Sequence, residues 1–185
     1  RAAATAGVVA ARTAAARTTA ARTTARTAAG SSCSGTGWQE RRGAAALASL
    51  RPAPSPARAL RFRPGRPGFL GLTHLDSRVV EVFVRPCSTQ SDALLRHVVA
   101  HELGHARDQA AMTPASRTAY LRARGIPVGT PWFGCDRCTD FATPAGDFAE
   151  TYAQWRRGAT SSRSRMAPAP GPAALAALAV RFFGA

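Results

Sequence analysis

The sequence contains no lysine and no asparagine, and Ile126 is its single isoleucine. All 25 basic residues among the 185 are therefore arginines, while alanine, glycine and proline are abundant. A bias of this kind indicates compositional pressure on the coding sequence, so no single arginine is a sign of function by itself. The chain begins with Arg1 and not with methionine, from which we expect a truncated or processed start.

Acidic residues are also scarce, and the formal net charge of +15 invites a nucleic-acid or acidic-membrane partner. The charge is unevenly distributed, however. Residues 1–66 carry 12 arginines and one acid, whereas residues 67–158 carry 10 arginines and nine acids. We therefore expect a basic, largely disordered Ala/Thr/Arg tail over residues 1–50 and no specific nucleic-acid partner. Non-specific binding through this tail is the open alternative.

Long apolar runs and cysteines are few. No run reaches the roughly 18 residues of a membrane-spanning helix, so no transmembrane segment is expected. The four cysteines, Cys33, Cys87, Cys135 and Cys138, allow three pairings. A bond from Cys87 to Cys135 or Cys138 would join two segments that precede helices, and Cys33 could pair with the other. Disulfides favour an oxidising compartment, which suggests a secreted or cell-envelope bacterial protein, with a cytoplasmic location as the alternative.

Histidine occurs only four times, yet His101 and His105 stand four residues apart with Glu102 between them. On a helix such a pair lies on one face and can present two imidazoles to one metal ion. Glu102 lies about 100° round the helix, where its carboxylate can reach a metal-bound water without being a ligand. Two histidines, a later carboxylate and an open water position make a catalytic zinc site. His74 is isolated in the sequence, and we leave it outside this site.

The residues around the histidine pair predict a helix from about 90 to 112. Its apolar residues recur at helical spacing and form one stripe: Leu95, Val99, Leu103, Ala106 and Ala110. Gly104 costs such a helix about 1 kcal/mol relative to alanine. We therefore expect another element to approach closely at Gly104, beside the metal face.

The His-Glu-x-x-His block and the later acidic helix, Asp147 to about Arg157, resemble the zincin metallopeptidases. The likeness is to the lethal-factor-like branch, whose third ligand is a glutamate, and covers about residues 59–158. It implies an α+β domain over residues 57–158, in which a small, mostly antiparallel sheet packs on the active-site helix. It further implies a monomeric zinc-dependent metallopeptidase that hydrolyses a peptide or protein substrate with Glu102 as the general base.

Three short strands are expected between residues 59 and 85, and an edge strand of this sheet could receive an extended peptide. Beyond residue 158 we expect a Ser/Arg/Pro linker and a short apolar helix, within residues 159–185, that docks on the domain. Tyr120 is expected to pack in the core.

The third metal ligand stays open at this point. The branch places its ligand four residues before the match of Glu150, and this chain has Gly146 there, which has no side chain. Either Asp147 or Glu150 is then the ligand, and the other orients a histidine through its free ring N–H. Glu150 is slightly favoured because its side chain is longer. Phe141 stands where relatives carry a tyrosine, so a catalytically impaired zincin-fold binding protein that retains the metal is the alternative.

Overall fold

A computed structural model describes residues 33–51, 59–74, 76–134 and 139–185 of the chain. Most of the expected basic tail, together with Cys135 and Cys138, lies outside these residues. No helix in the described ranges is long and apolar enough to cross a lipid bilayer.

The described residues form five α-helices and three strands. In chain order they are α1 Trp38–Ala48, β1 Ala59–Pro64, β2 Gly71–Thr73, β3 Val79–Val84, α2 Asp92–Ala111, α3 Pro114–Arg124, α4 Pro144–Arg157 and α5 Pro172–Leu178. A 3-10 turn, Asp140–Ala142, precedes α4, and a π-helical turn, Ala179–Phe183, follows α5. The expected α+β class is confirmed.

The sheet has the strand order β1-β3-β2, with β3 parallel to β1 and antiparallel to β2. It is therefore mixed, whereas a mostly antiparallel sheet was expected. The central position of β3 follows from its residues, because Val80, Val82 and Val84 are fully buried. Strand β2 lies at an edge of the sheet and consists of only three residues.

Helix α2 lies at the centre of the fold, between the sheet and α4. It begins after Ser91, whose side chain accepts a hydrogen bond from the Leu94 N–H and so caps the helix. Eleven of its 20 residues are buried, which is far more than a single amphipathic stripe would bury. The helix is thus enclosed by other elements on most of its surface.

Helices α2 and α4 approach each other closely at Gly104, as the sequence suggested. A methyl group added to Gly104 would lie 2.6 Å from the Cα atom of Ala149 in α4. The missing side chain therefore allows backbone-to-backbone packing, which offsets the cost of glycine in a helix. This contact confirms the expected close approach and brings Glu150, the next residue of α4, beside α2.

The core extends beyond residues 57–158 in both directions. Leu50, just after α1, is fully buried, and Phe182 and Phe183 after α5 pack into the same core. The Phe183 ring contacts the rings of Phe148, Tyr152 and Trp155 of α4. The expected docking of the C-terminal helix is confirmed, and the folded unit also includes α1, which lies before the expected boundary at residue 57.

A disulfide joins Cys33 to Cys87. The expectation that Cys87 pairs with Cys135 or Cys138 is therefore wrong. The reason is the packing of α1 against the connection between β3 and α2: Arg42 of α1 pairs with Asp92 at 2.9 Å and donates to the Arg85 carbonyl at 2.7 Å. This docking carries the segment before α1, and with it Cys33, to Cys87.

Candidate metal centre

The imidazoles of His101 and His105 lie side by side on one face of α2, as their spacing requires. Their Nε2 atoms are 3.2 Å apart, and the rings meet edge to face. His101 is only 7% exposed, so its ring emerges from packed surface. Both rings line a cleft of about 460 Å³, bounded on one side by α2 and on another by β2.

Asp140 completes this arrangement and was not among the residues expected from the sequence. Its Oδ2 atom lies 2.7 Å from His101 Nε2 and 3.3 Å from His105 Nε2. Asp140 begins the 3-10 turn just before α4. Thr143 fixes this turn, because its hydroxyl donates to the Asp140 carbonyl and also accepts from the Gly146 N–H, capping α4.

Gly146, the position without a side chain, has a structural role at this point. A methyl group added to Gly146 would collide with the carbonyl oxygen of Asp140. The 3-10 turn can therefore lie directly on the first turn of α4 only because residue 146 is glycine. The position that lacks the glutamate of the lethal-factor-like pattern thus allows an aspartate from the preceding turn to reach the imidazoles.

Glu150 reaches His101 from the opposite edge of the ring. Its Oε1 atom is 2.8 Å from His101 Nδ1, and its Oε2 atom accepts the Arg163 backbone N–H at 2.7 Å. The side chain is almost completely buried. Oε1 also lies 2.9 Å from His97 Nε2, although this contact lacks hydrogen-bond alignment. Glu150 therefore connects the histidine pair to a third histidine that the sequence reasoning did not single out.

Asp147 is directed to a different set of partners. Its carboxylate accepts two hydrogen bonds from the Arg124 guanidinium, at 2.8 and 2.9 Å, and one from the Tyr120 hydroxyl at 2.8 Å. The Ser164 hydroxyl donates to it as well. The structure thus brings Glu150, but not Asp147, to the imidazole pair. Tyr120 is fully buried in this network, which confirms that it packs in the core.

Two groups of side chains in the described residues could hold a metal ion. We call His101, His105 and Asp140 the front cluster, since all three line the cleft. We call His97, His101 and Glu150 the back cluster, which is buried behind His101. The two clusters share the His101 ring, one through each of its nitrogens.

Hydrogen-bond partners favour the front cluster as the metal site. In the back cluster, His97 Nδ1 lies 2.6 Å from an Arg157 guanidinium nitrogen, and a guanidinium can only donate. A neutral His97 therefore carries its proton on Nε2, which leaves that nitrogen no lone pair for a metal. His101 has the reverse arrangement: Nδ1 donates to Glu150, so the proton that a metal would displace is the one on Nε2, which is directed at the front cluster.

The charges of both clusters are coupled. Burial alone would lower the pKa of His101, but hydrogen bonds to Asp140 and Glu150 raise it to about 10. Burial would raise the pKa of both carboxyl groups, yet the hydrogen bonds of Asp140 to His101 and His105 lower the pKa of Asp140. The hydrogen bond of Glu150 to His101 and its close approach to His97 lower the pKa of Glu150 in the same way. Both carboxylates are thus ionised at neutral pH, which suits cation binding.

The pKa of His97 is lowered, above all by its burial. Its ring is therefore neutral near pH 7, in agreement with the tautomer that the Arg157 contact requires.

Glu102 belongs to neither cluster but lines the same cleft. Its Oε2 atom accepts a hydrogen bond from the Thr73 hydroxyl at 2.8 Å, and its side chain lies on Gly71, where any added methyl group would collide with the carboxylate. Strand β2 therefore fixes Glu102 beside the histidines, in the place expected of a carboxylate that is not a ligand.

Two other residues singled out in the sequence have simpler surroundings. The Phe141 ring lies edge-on to His101, with centroids 5.6 Å apart, so it forms an apolar wall of the cleft. His74 contacts Glu81 at 3.1 Å and is not part of the cleft lining.

Comparison of the chain with protein-family models, with curated proteins and with solved structures finds no match. The resemblance to zincins therefore rests on the sequence motifs alone.

Proposed function

We propose that this protein is a zinc-dependent peptidase whose metal is held by His101, His105 and Asp140. The observation that carries the proposal is the spacing of the three donor atoms. They lie 2.7, 3.2 and 3.3 Å from one another. Tetrahedral zinc with bonds of about 2.0–2.2 Å to nitrogen and oxygen places its ligand atoms about 3.3–3.6 Å apart, so only the Asp140 oxygen would have to move, by less than about 1 Å. Three protein ligands leave the fourth position open to the cleft, as a catalytic site requires.

A zinc ion bound there would lower the pKa of a coordinated water and polarise a substrate carbonyl. The Glu102 carboxylate then acts as the general base: it takes the proton from the attacking water and passes it to the leaving amine. The Thr73 hydroxyl holds this carboxylate in position through its bond to Oε2. Glu150 orients the His101 ring by accepting from Nδ1.

Strand β2 supports a peptide as the substrate class. It is an edge strand, and its three residues, Gly71–Thr73, line the cleft next to Glu102. An edge strand offers backbone N–H and C=O groups to which an extended peptide can pair as an additional strand. Such pairing holds a peptide bond near the histidines without requiring a particular sequence.

The proposal also includes a cellular location for the protein, which is inferred from its cysteines. The Cys33–Cys87 disulfide joins segments 54 residues apart and supports a location in an oxidising compartment. We therefore propose a secreted or cell-envelope location in a bacterium.

The function is tested by removing and restoring the metal. We expect the purified protein to contain one equivalent of zinc per chain, measured by atomic emission, and to cleave casein or a mixed peptide library. A chelator should abolish cleavage, and a stoichiometric addition of zinc should restore it. One equivalent of zinc without cleavage of any peptide would instead favour the binding protein that retains the metal.

Zinc binding should also release a proton. Because the pKa of His101 is about 10 in the metal-free protein, its Nε2 atom is protonated at pH 7, and zinc must displace that proton. We expect the release of at least about one proton per zinc, and an apparent affinity that rises about tenfold per pH unit between pH 6 and 8. Calorimetry in buffers with different ionisation enthalpies measures the proton count. Binding without proton release would contradict the assignment of His101 Nε2 as a ligand.

A further inference from the structure

A second cavity, of about 270 Å³, lies behind His97. We call it the basic pocket. It is bounded by the first turn of α2 and by side chains of the following residues: His97, Arg157, Ser161, Ser162 and Arg163. None of the described residues that line it is acidic. The pocket is thus polar and positively charged, in contrast to the cleft, which contains Asp140 and Glu102.

The arginines at this pocket have no ion-pair partner in the part of the chain that the structure describes. Among the described residues, no carboxylate forms an ion pair with Arg96, Arg157 or Arg163. Of the arginines that line the pocket, Arg157 has a buried Nε atom with no hydrogen-bond acceptor among the described residues. Both oxygens of the nearby Glu150 are already in contact with protein nitrogens. Buried donors without an acceptor cost stability, so the pocket is suited to a ligand that supplies one.

Electrostatics within the pocket agree with this description. Burial lowers the pKa of Arg157, and the positive charges of Arg96 and Arg163 lower it further, against the opposing effect of Glu150. The pocket also lies at the N-terminal turn of α2, a 20-residue helix whose dipole adds partial positive charge there. Guanidinium forks, hydroxyl groups and a helix N-terminus are together the groups that bind carboxylate and phosphate oxygens.

We propose that the basic pocket binds an oxyanion, a carboxylate or a phosphate group, that is carried by the peptide substrate of the front cluster. The link between the two sites is their common wall, because His97 and Arg163 line both the cleft and the basic pocket. A peptide held along β2 can therefore extend an acidic side chain past Arg163 into the pocket. The basic pocket would thereby select acidic or phosphorylated peptides as substrates. This inference rests on the proposed peptidase function.

Arg163 is placed at this boundary by Glu150. Its backbone N–H donates to Glu150 Oε2, which anchors the segment behind the histidines, while its side chain is exposed and has no hydrogen-bond partner among the described residues. The same glutamate thus orients His101 and fixes the arginine that separates cleft and pocket. The sequence gives no sign of this, since residues 159–165 read only as a linker.

The test measures binding separately from cleavage. Fluorescent peptides that carry a single glutamate, phosphoserine or glutamine at each position are titrated into the zinc-loaded Glu102→Gln variant. We expect a peptide with glutamate or phosphoserine at one position to bind about tenfold tighter or more than its glutamine counterpart, as charge-assisted hydrogen bonds imply. Inorganic sulfate should compete with the acidic peptide. The Arg163→Gln and Arg157→Gln variants should lose the preference.

Arg122→Gln is the matched control, because Arg122 is an exposed arginine on α3 outside the pocket. It should keep the preference for acidic peptides. If Arg157→Gln fails to fold, Arg163→Gln still decides the question, since the Arg163 side chain makes no hydrogen bond in the described structure. Equal affinity for acidic and neutral peptides, or an equal loss in Arg122→Gln, would overturn the proposal.

Two mixed outcomes are also decisive. If sulfate binds and this binding requires Arg157, but acidic peptides show no preference, the pocket is a site for free anions and its role in substrate selection is overturned. If acidic peptides bind in an arginine-dependent manner and wild-type protein cleaves none of them, the pocket stands and the peptidase function fails.

Discussion

The Asp140→Asn variant is expected to bind zinc more than about 100-fold more weakly than wild type and to lose peptide cleavage. Replacing residues that only orient a ligand costs 10- to 100-fold in metal affinity, and the loss of a charged ligand should exceed that range. Asparagine keeps the shape of the side chain, so the 3-10 turn on α4 should persist. Competition with a chromophoric chelator measures the affinity, and circular dichroism checks the fold.

Two control variants, each of which replaces another acidic residue, show whether the loss of zinc affinity is specific to Asp140. Glu150→Gln should weaken zinc binding by about 10- to 100-fold, because it removes the partner of His101 Nδ1 but no ligand. Asp147→Asn should leave zinc affinity nearly unchanged, although it weakens a buried ion pair with Arg124 and lowers the unfolding temperature. A larger loss of zinc affinity in Glu150→Gln than in Asp140→Asn would shift the metal to the back cluster.

The Glu102→Gln variant should retain one equivalent of zinc and lose about 10²- to 10⁴-fold in kcat. Glutamine preserves the bond from Thr73 but cannot accept a proton from the attacking water. The KM for a peptide should change little, because the substrate still pairs with β2. Steady-state kinetics on the best library peptide measure both constants, and metal analysis of the same preparation measures zinc.

Glu81→Gln is the control for this experiment. Glu81 is a carboxylate on β3 that pairs with Arg63 and His74 and does not line the cleft. Its replacement should leave kcat unchanged. Full activity in Glu102→Gln would remove Glu102 from the role of general base.

The part of the site that sequence reasoning could predict is the part encoded within one helix. The spacing of His101, Glu102 and His105 determines which face each side chain occupies, whatever surrounds the helix. Gly104 could also be interpreted from the helix alone, since a glycine inside a helix indicates a close neighbour. Ala149 is that neighbour. Local periodicity therefore predicted these four residues together with the helix that carries them.

The third acid could not be predicted in this way, because it comes from a different segment. Asp140 is 35 residues beyond His105 and lies in a short turn whose position depends on the packing of α4. Two signals for it were present in the sequence. Thr143 followed by Pro144 is a helix start, which places Asp140 just ahead of α4. Gly146 then marks where that turn can lie against the helix.

The strand order and the disulfide depended on tertiary packing for the same reason. Alternating residues identified the strands, but alternation does not determine which strand is central. Strand β3 takes that place, with Val80, Val82 and Val84 buried on one face and Phe83 buried on the other. Likewise, the pairing of Cys33 with Cys87 goes together with the docking of α1 through Arg42, whose partner Asp92 is 50 positions away in the sequence.

Anomalous diffraction at the zinc edge, from crystals of the zinc-loaded protein, tests the central claim most directly. The account predicts one zinc ion within about 2.2 Å of His101 Nε2, His105 Nε2 and an Asp140 carboxylate oxygen. A zinc ion bound instead by His97 and Glu150, or the absence of any zinc from this region, would contradict it.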